Sequence, residues 1–179
     1  TLGLAHGLEH LIGAAERLRD EPDIVFVIIG DGAARQEIER LVHEKQLDNV
    51  IVLGLQPRES MPNWIASIDV LLVCLRDLPV FETVIPSKIF EFLAQERPVI
   101  VAARGEIQEM TEKTGVALTV EPEDPAALVG AIQEIKDKPE EARERAHAGR
   151  LWVENNFLRD NLAQRMIEFV EKTVARSSR

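Results

Sequence analysis

The residues most able to do chemistry are concentrated in residues 81–100, which read FETVIPSKIFEFLAQERPVI. Pro86 and Ser87 can begin a helix there. This start places Lys88 and Glu91 one turn apart, on one face of the helix. A cation and a carboxylate at the carboxyl end of a parallel strand are suited to holding a charged or hydroxylated ligand.

Two interpretations of this segment remain open. In one, the helix is simply amphipathic, and its exposed stripe carries an ion pair of about 0.3 kcal/mol. In the other, the segment binds a ligand. The loop of residues 75–86 (LRDLPVFETVIP), which precedes the helix, favours the second interpretation because a purely structural connection does not need such a loop.

A second candidate site lies near the start of the chain, where Gly3 and Gly7 flank Ala5 and His6. Glycines let the backbone turn tightly, and the first N–H groups of the following helix could bind an anion such as phosphate. A simple loop-to-helix turn has the same pattern, because G-x-x-x-G is less specific than a complete phosphate-binding loop. The other histidines lack the spacing of zinc ligands: His10, His43 and His147.

Composition excludes some classes of function. The chain has 179 residues, 45% of them hydrophobic, which is enough for one domain with a sizeable core. The formal net charge of −10 argues against a nucleic-acid partner, because such binding needs a concentrated basic face. No D-x-D pair is present to chelate magnesium, so neither a metal nor another cofactor is expected.

Two further features bear on the compartment. The single cysteine, Cys74, lies in the apolar run VLLVCL and is interpreted as a buried core residue. The sequence shows neither an apolar stretch long enough to cross a bilayer nor a signal-peptide pattern. A cytoplasmic location is therefore expected.

Short apolar runs alternate with helical patterns, which predicts an α/β fold with a doubly wound parallel sheet. The predicted strands are residues 24–29, 49–54, 69–75, 97–103 and 115–120. Asp124 and Pro125 predict a helix cap and first residue, and Pro139 predicts another helix start, so the C-terminal third is expected to be helical. The chain opens on a loop and a helix, which predicts that the first strand is missing and that the chain is a fragment.

The chain resembles the C-terminal, donor-binding domain of the retaining glycosyltransferases of family four, in the two-domain GT-B class. Four segments carry the resemblance: GLAHGLEHLIGAAERL, IIGDGAARQEIERL, NVIVLGLQPRESMPNWIASIDVLLV and PSKIFEFLAQERPVI. It covers essentially the whole chain and is nearest to bacterial polysaccharide and O-antigen transferases acting on aminodeoxy sugars such as fucosamine. It implies a Rossmann-like, nucleotide-sugar-binding domain over residues 1–158. Residues 159–179 would form a C-terminal helix, in the same domain or packed toward an absent N-terminal domain.

The resemblance implies roles at the donor sugar and the ribose. Members of the family carry two glutamates eight positions apart, of which the second binds the ribose and the first lies near the sugar. Glu91 matches the second glutamate. Thr83 stands at the place of the first, with Glu82 beside it, so Glu82 and Thr83 are the candidate catalytic residues.

The resemblance also implies how the rest of the donor is held. The diphosphate would lie against the Gly3–Gly7 turn and the helix start at Ser87. Many relatives have a lysine before the glycine of the first loop, where this chain has His6, and Lys88 would supply the missing positive charge. Gln56 lies in the segment whose backbone holds the base in relatives.

The expected function is transfer of a sugar from a nucleoside-diphosphate sugar to an acceptor glycan or lipid-linked sugar in cell-surface polysaccharide assembly. The enzyme is expected to be a hexosyltransferase. Its acceptor would be held by the missing N-terminal half, so this chain is expected to be inactive on its own. Peripheral association with the inner face of the membrane would also come from that half. Two other classes remain open: a non-catalytic flavodoxin-like binding module, and half of a GT-B-type sugar-nucleotide epimerase.

Overall fold

The structure, a computed structural model, describes residues 2–177 as alternating strands and helices. Thr1, Ser178 and Arg179, which the predicted bounds 1–158 and 159–179 include, lie outside the described residues. Each predicted apolar run contains one strand: β1 (Phe26–Ile29), β2 (Val50–Leu53), β3 (Leu71–Cys74), β4 (Val99–Ala102) and β5 (Leu118–Val120). The α-helices are α1 (Leu8–Arg17), α2 (Arg35–Glu44), α3 (Met61–Ser67), α4 (Lys88–Ala94), α5 (Glu106–Thr114), α6 (Pro125–Asp137), α7 (Pro139–Phe157) and α8 (Arg159–Ser177).

The strands pair in parallel, as the sequence predicted, but they form two sheets. One contains β1 and β2, and the other has the order β3-β4-β5. Within the described residues the two sheets are joined at the carboxyl ends of β1 and β3 by the N-terminal segment. Leu2 N–H donates to the carbonyl of Asp31 at 2.8 Å, and Arg76 N–H donates to the carbonyl of Ala5 at 2.9 Å.

The core has two parts. The first lies under α1, α2 and α6 and contains Phe26 and Ile28 of β1 together with Ile100 of β4, so it spans both sheets. The second joins β3 and β4 to α4, α5 and α7 through residues such as Val73 and Leu93. Fully burying a side chain of this size stabilises the fold by about 1.5–3 kcal/mol. No strand pairing is described between the two sheets, so the apolar residues that they bury together hold them in one domain.

Helix α4 is fixed from behind by α7. Phe90 stacks on Trp152 with ring centroids 6.3 Å apart, and Phe157 lies 4.4 Å from Phe90. Gly149 of α7 allows the close approach, because a Cβ there would lie 2.8 Å from Leu93 Cδ2. The opposite side of α4, which begins at the carboxyl edge of β3, is thereby held in a defined position.

The C-terminal third is helical, as predicted. Asp124 caps α6, since its Oδ1 accepts hydrogen bonds from the N–H groups of Ala126 at 2.8 Å and Ala127 at 3.2 Å. The apolar stripe of α8 is exposed: Leu162, Met166, Ile167, Phe169 and Val170. None of the helices in the described part of the chain is both long and apolar enough to span a membrane.

Candidate functional site

A tight turn leads into α1 at the carboxyl edge of the strands. The 3-10 turn Leu4–His6 ends at Gly7, which has φ +55° and ψ +41°. A side chain is strained in this left-handed conformation, and a Cβ there would also lie 3.4 Å from His10 Cδ2. The first N–H groups of a helix lack partners within it, and no side chain caps those of α1. The N–H of His10 donates to the carbonyl of Gly7 at 3.1 Å, which leaves the N–H groups of Leu8 and Glu9 without a described partner.

His6 and Lys88 are brought together beside this turn. His6 Nδ1 donates to the carbonyl of Cys74 at 3.2 Å, which leaves Nε2 available to a ligand. Burial lowers the pKa of His6, and the nearby charge of Lys88 lowers it further. Burial also lowers the pKa of Lys88. Within residues 2–177 neither side chain pairs with a carboxylate. The pair, hereafter the basic pair, therefore combines the ammonium group of Lys88 with an imidazole that stays neutral until an anion favours its protonation.

Cys74 packs against the first part of the core, as predicted, but at its margin. It is half-buried, because it ends β3 at the edge of the sheet and adjoins the loop that carries His6. Burial raises the pKa of its thiol, so the thiol stays protonated. A protonated thiol is a poor nucleophile. The residue therefore shapes the site through its backbone carbonyl.

The predicted catalytic residues lie on the β3–α4 loop, and both are exposed. The carbonyl of Glu82 accepts a hydrogen bond from the N–H of Glu106 at 2.7 Å, at the start of α5. Gly105, with φ +77°, allows this contact, because a Cβ there would lie 2.0 Å from the Glu82 oxygen. The loop is thus anchored at Glu82, with Thr83 next to the anchor.

Lys88 and Glu91 share α4 but not an ion pair. Glu91 is exposed in the first turn, whereas Lys88 is half-buried against His6 and Cys74. No contact between the two within 4.0 Å is found among the described side chains. The interpretation of an exposed ion pair is therefore wrong. Ser87 is the N-terminal flanking residue of α4, and its side chain is exposed and caps nothing.

Gln56 and Gly3 occupy the two ends of the same edge. Gly3 precedes the Leu4–His6 turn, close to the basic pair. Gln56 follows β2 in the other sheet, is half-buried, and its Nε2 donates weakly to the carbonyl of Gly54 at 3.5 Å. The structure therefore brings Gly3, His6, Gly7 and Lys88 together. Gln56 follows a strand of the other sheet, and its described hydrogen bond goes to Gly54 and to none of these residues.

The cavity beside the turn is small. The cavity lined by His6, Cys74 and Glu123 has a volume of about 20 Å³, which is room for one water. A ligand larger than a water molecule does not fit inside this cavity. In the described part of the chain, no three His, Cys, Asp or Glu side chains are grouped so that they could hold a metal ion.

Sequence reasoning missed Arg76, the second residue after β3. Its guanidinium Nε donates to the carbonyl of Leu4 at 2.6 Å, and the group also pairs with Glu9 and Glu123. The sequence did contain a sign of its role: an arginine just beyond the end of a buried parallel strand, where functional side chains are often found.

This arrangement defines a class of domain. Parallel strands alternate with helices, as in the Rossmann-like C-terminal domains of GT-B glycosyltransferases. In this chain a glycine turn and a basic pair lie at the carboxyl edge of the strands. Comparison with family models then places the chain more closely. It belongs to the family described as Glycosyl transferases group 1, whose model matches residues 3–138. This membership favours a glycosyltransferase over a flavodoxin-like module or an epimerase.

Individual relatives agree with the family. The chain is 33% identical over 165 residues to the Escherichia coli (strain K12) protein named as a colanic acid biosynthesis glycosyl transferase, WcaI, covering 89% of this chain and 40% of that protein. Among solved structures, sucrose-phosphate synthase from Thermosynechococcus elongatus superimposes with a TM-score of 0.78 at 28% identity, over 96% of this chain and 43% of that one.

A further solved structure was determined with a nucleotide bound. Anabaena Alr3699/HepE in complex with UDP superimposes with a TM-score of 0.79 at 18% identity, over 93% of this chain and 45% of that one. At that identity the likeness shows the fold alone. The chain spans less than half the length of each of these three proteins.

Proposed function

We propose that the chain is the donor-binding half of a retaining hexosyltransferase of family four, which uses a nucleoside-diphosphate sugar. The observation that carries the proposal is the basic pair of His6 and Lys88, which lacks a carboxylate partner within residues 2–177 and adjoins the start of α1. The complex of HepE with UDP supports a uridine nucleotide as donor. The name of WcaI supports a role in polysaccharide assembly.

The proposed chemistry is stabilisation of the departing diphosphate. As the bond to the sugar breaks, negative charge grows on the diphosphate, and preorganised donors that face it lower the barrier. The first N–H groups of α1 and the ammonium group of Lys88 would supply those donors. His6 would add its Nε2–H once the ring is protonated, a form that the charge of a bound diphosphate favours. Donor binding by these groups needs no metal ion and no other cofactor.

The remaining proposed contacts orient the donor. Glu91, exposed in the first turn of α4, would accept hydrogen bonds from the ribose hydroxyls. Glu82 and Thr83 would hold the sugar from the anchored β3–α4 loop. Ser87 would lie beside the diphosphate and Gln56 beside the base. An aminodeoxy sugar such as fucosamine is the proposed donor sugar.

Transfer itself is assigned to a longer protein. The acceptor glycan or lipid-linked sugar would bind the part that the longer relatives have and this chain does not. Residues 159–179 would pack on that part, because the apolar stripe of α8 is exposed in the described residues. The proposal places the reaction in the cytoplasm, at the inner face of the membrane where the acceptor is lipid-linked.

Calorimetric titration of the chain with UDP and GDP tests the proposal, together with a transfer assay using nucleotide sugars. Saturable binding of one of the diphosphates without sugar transfer is expected. Failure to bind either nucleotide would contradict the donor site. Transfer catalysed by the 179 residues alone would contradict the division of labour between two halves.

A further inference from the structure

Arg76 is bonded through all three of its guanidinium nitrogens. Nε donates to the carbonyl of Leu4 at 2.6 Å, one terminal nitrogen donates to Glu123 Oε1 at 3.2 Å, and the other donates to Glu9. The backbone N–H of Arg76 also donates to the carbonyl of Ala5 at 2.9 Å. One residue thus holds two successive carbonyls of the turn that precedes α1.

The charge of Arg76 is already compensated within the chain. Two carboxylates, those of Glu9 and Glu123, pair with its guanidinium. His6 and Lys88 differ, because the described residues offer them no such partner. Arg76 is therefore poorly placed to serve as a direct counter-charge for a diphosphate. Its planar fork spreads donors over three nitrogens and so suits it to fix several separated acceptors at once, whereas the donors of a lysine all lie on one nitrogen.

The cluster of Arg76, Glu9 and Glu123 includes a residue with an unfavourable backbone conformation, Glu123. Its φ is +58°, in the left-handed region that residues other than glycine rarely adopt. Gln46 and Glu96 share this conformation, but each follows the C-terminal capping residue of a helix, α2 or α4, where the conformation is common. Glu123 instead lies before a helix, and its carboxylate reaches Arg76 and also His10, 3.7 Å away.

We propose that Arg76 is a positioning residue for the donor diphosphate. Together with Glu9 and Glu123 it fixes the Leu4–Gly7 turn, and the turn in turn sets the position of His6 and of the first N–H groups of α1. Arg76 acts through this turn and does not touch the donor. The inference rests on the proposed function, because it assigns the diphosphate to this turn.

The test compares Arg76→Ala and Arg76→Lys with Arg104→Ala. Arg104 is a matched control, because it follows β4 at the same edge and pairs with Asp77 at 3.2 Å and Glu121 at 2.6 Å, but the described contacts include none to the turn. Hydrogen exchange of the backbone amides of residues 4–7 is measured without ligand, and UDP affinity is measured by calorimetry.

Both Arg76 variants are expected to exchange these amides faster and to bind UDP about tenfold more weakly, because lysine keeps the charge but not the fork. Arg104→Ala is expected to change neither quantity. Should an Arg76 variant fail to fold, Glu123→Gln removes one arm of the cluster and is expected to give a smaller change in the same direction.

Two results would overturn the inference. Wild-type exchange and affinity in Arg76→Lys would show that only the charge matters. Weaker UDP binding with unchanged exchange in Arg76→Ala would show that Arg76 touches the nucleotide itself. A third result separates the two proposals. If the amides of residues 4–7 exchange faster in the Arg76 variants but the wild-type chain binds no UDP, the proposed function is wrong, whereas Arg76 does fix the turn.

Discussion

Replacing Lys88 with methionine should weaken nucleotide binding and stabilise the free domain at the same time. Lys88 is half-buried, burial lowers its pKa, and no carboxylate among the described residues compensates its charge. A diphosphate would provide that compensation through a charge-assisted hydrogen bond worth about 1.5–3 kcal/mol. Lys88→Met should therefore weaken UDP binding by about 10- to 150-fold.

The effect on stability has the opposite sign. The pKa of Lys88 is lower in the folded chain than its ordinary value of 10.5, so between these two values the unfolded chain binds more protons. The free energy of unfolding of the wild-type chain therefore gains a contribution from Lys88 that increases as the pH rises through this window. Lys88→Met lacks that rise and should be more stable than the wild type below the window.

Calorimetry with UDP and denaturant unfolding at several alkaline pH values measure the two effects. Lys113→Met is the matched control, because Lys113 is exposed near the end of α5. Its affinity should match the wild type and its stability should stay within about 0.5 kcal/mol. Unchanged UDP affinity in Lys88→Met, with measurable wild-type binding, would refute the assignment of the diphosphate to the basic pair.

Three further predictions test other parts of the site and fold. Glu91→Ala should weaken UDP binding about tenfold, as measured by calorimetry, and should change stability by only a few tenths of a kcal/mol because the side chain is exposed. An affinity for UDP equal to that of the wild type would show that Glu91 does not contact the ribose. UDP affinity should be the same with and without EDTA, and its loss on chelation would show that a metal takes part. Asp124→Ala should lower the free energy of unfolding by about 1 kcal/mol, because two N–H groups of α6 lose their acceptor; a variant as stable as wild type would show that the cap is not needed.

Much of the fold could be predicted because its signals are local. All five strands lie inside apolar runs visible in the sequence, and the helix starts at Pro125 and Pro139 follow from the fixed φ of proline. The glycine at position 7 likewise indicates a turn before a helix. His6 and Lys88 were found as candidates because both lie next to such local signals.

The remaining features depend on contacts between distant residues. The partners of the Arg76 guanidinium lie 72, 67 and 47 positions away, so no local pattern reveals that this side chain holds the first turn. Helical spacing placed Lys88 and Glu91 on one face, but only packing decides that Lys88 is half-buried while Glu91 stays exposed. Hydrophobic runs report burial and not pairing, which is why the division into two sheets was not foreseen.

The contact between Phe90 and Trp152 also gives the domain an optical reporter. The helix that stacks Phe90 on Trp152 also carries Lys88, so the indole lies next to the helix that begins at the proposed site. The chain has two tryptophans, and Trp64 lies on α3. In a Trp64→Phe variant, the emission of Trp152 alone would report the packing of α4 on α7, without an added label.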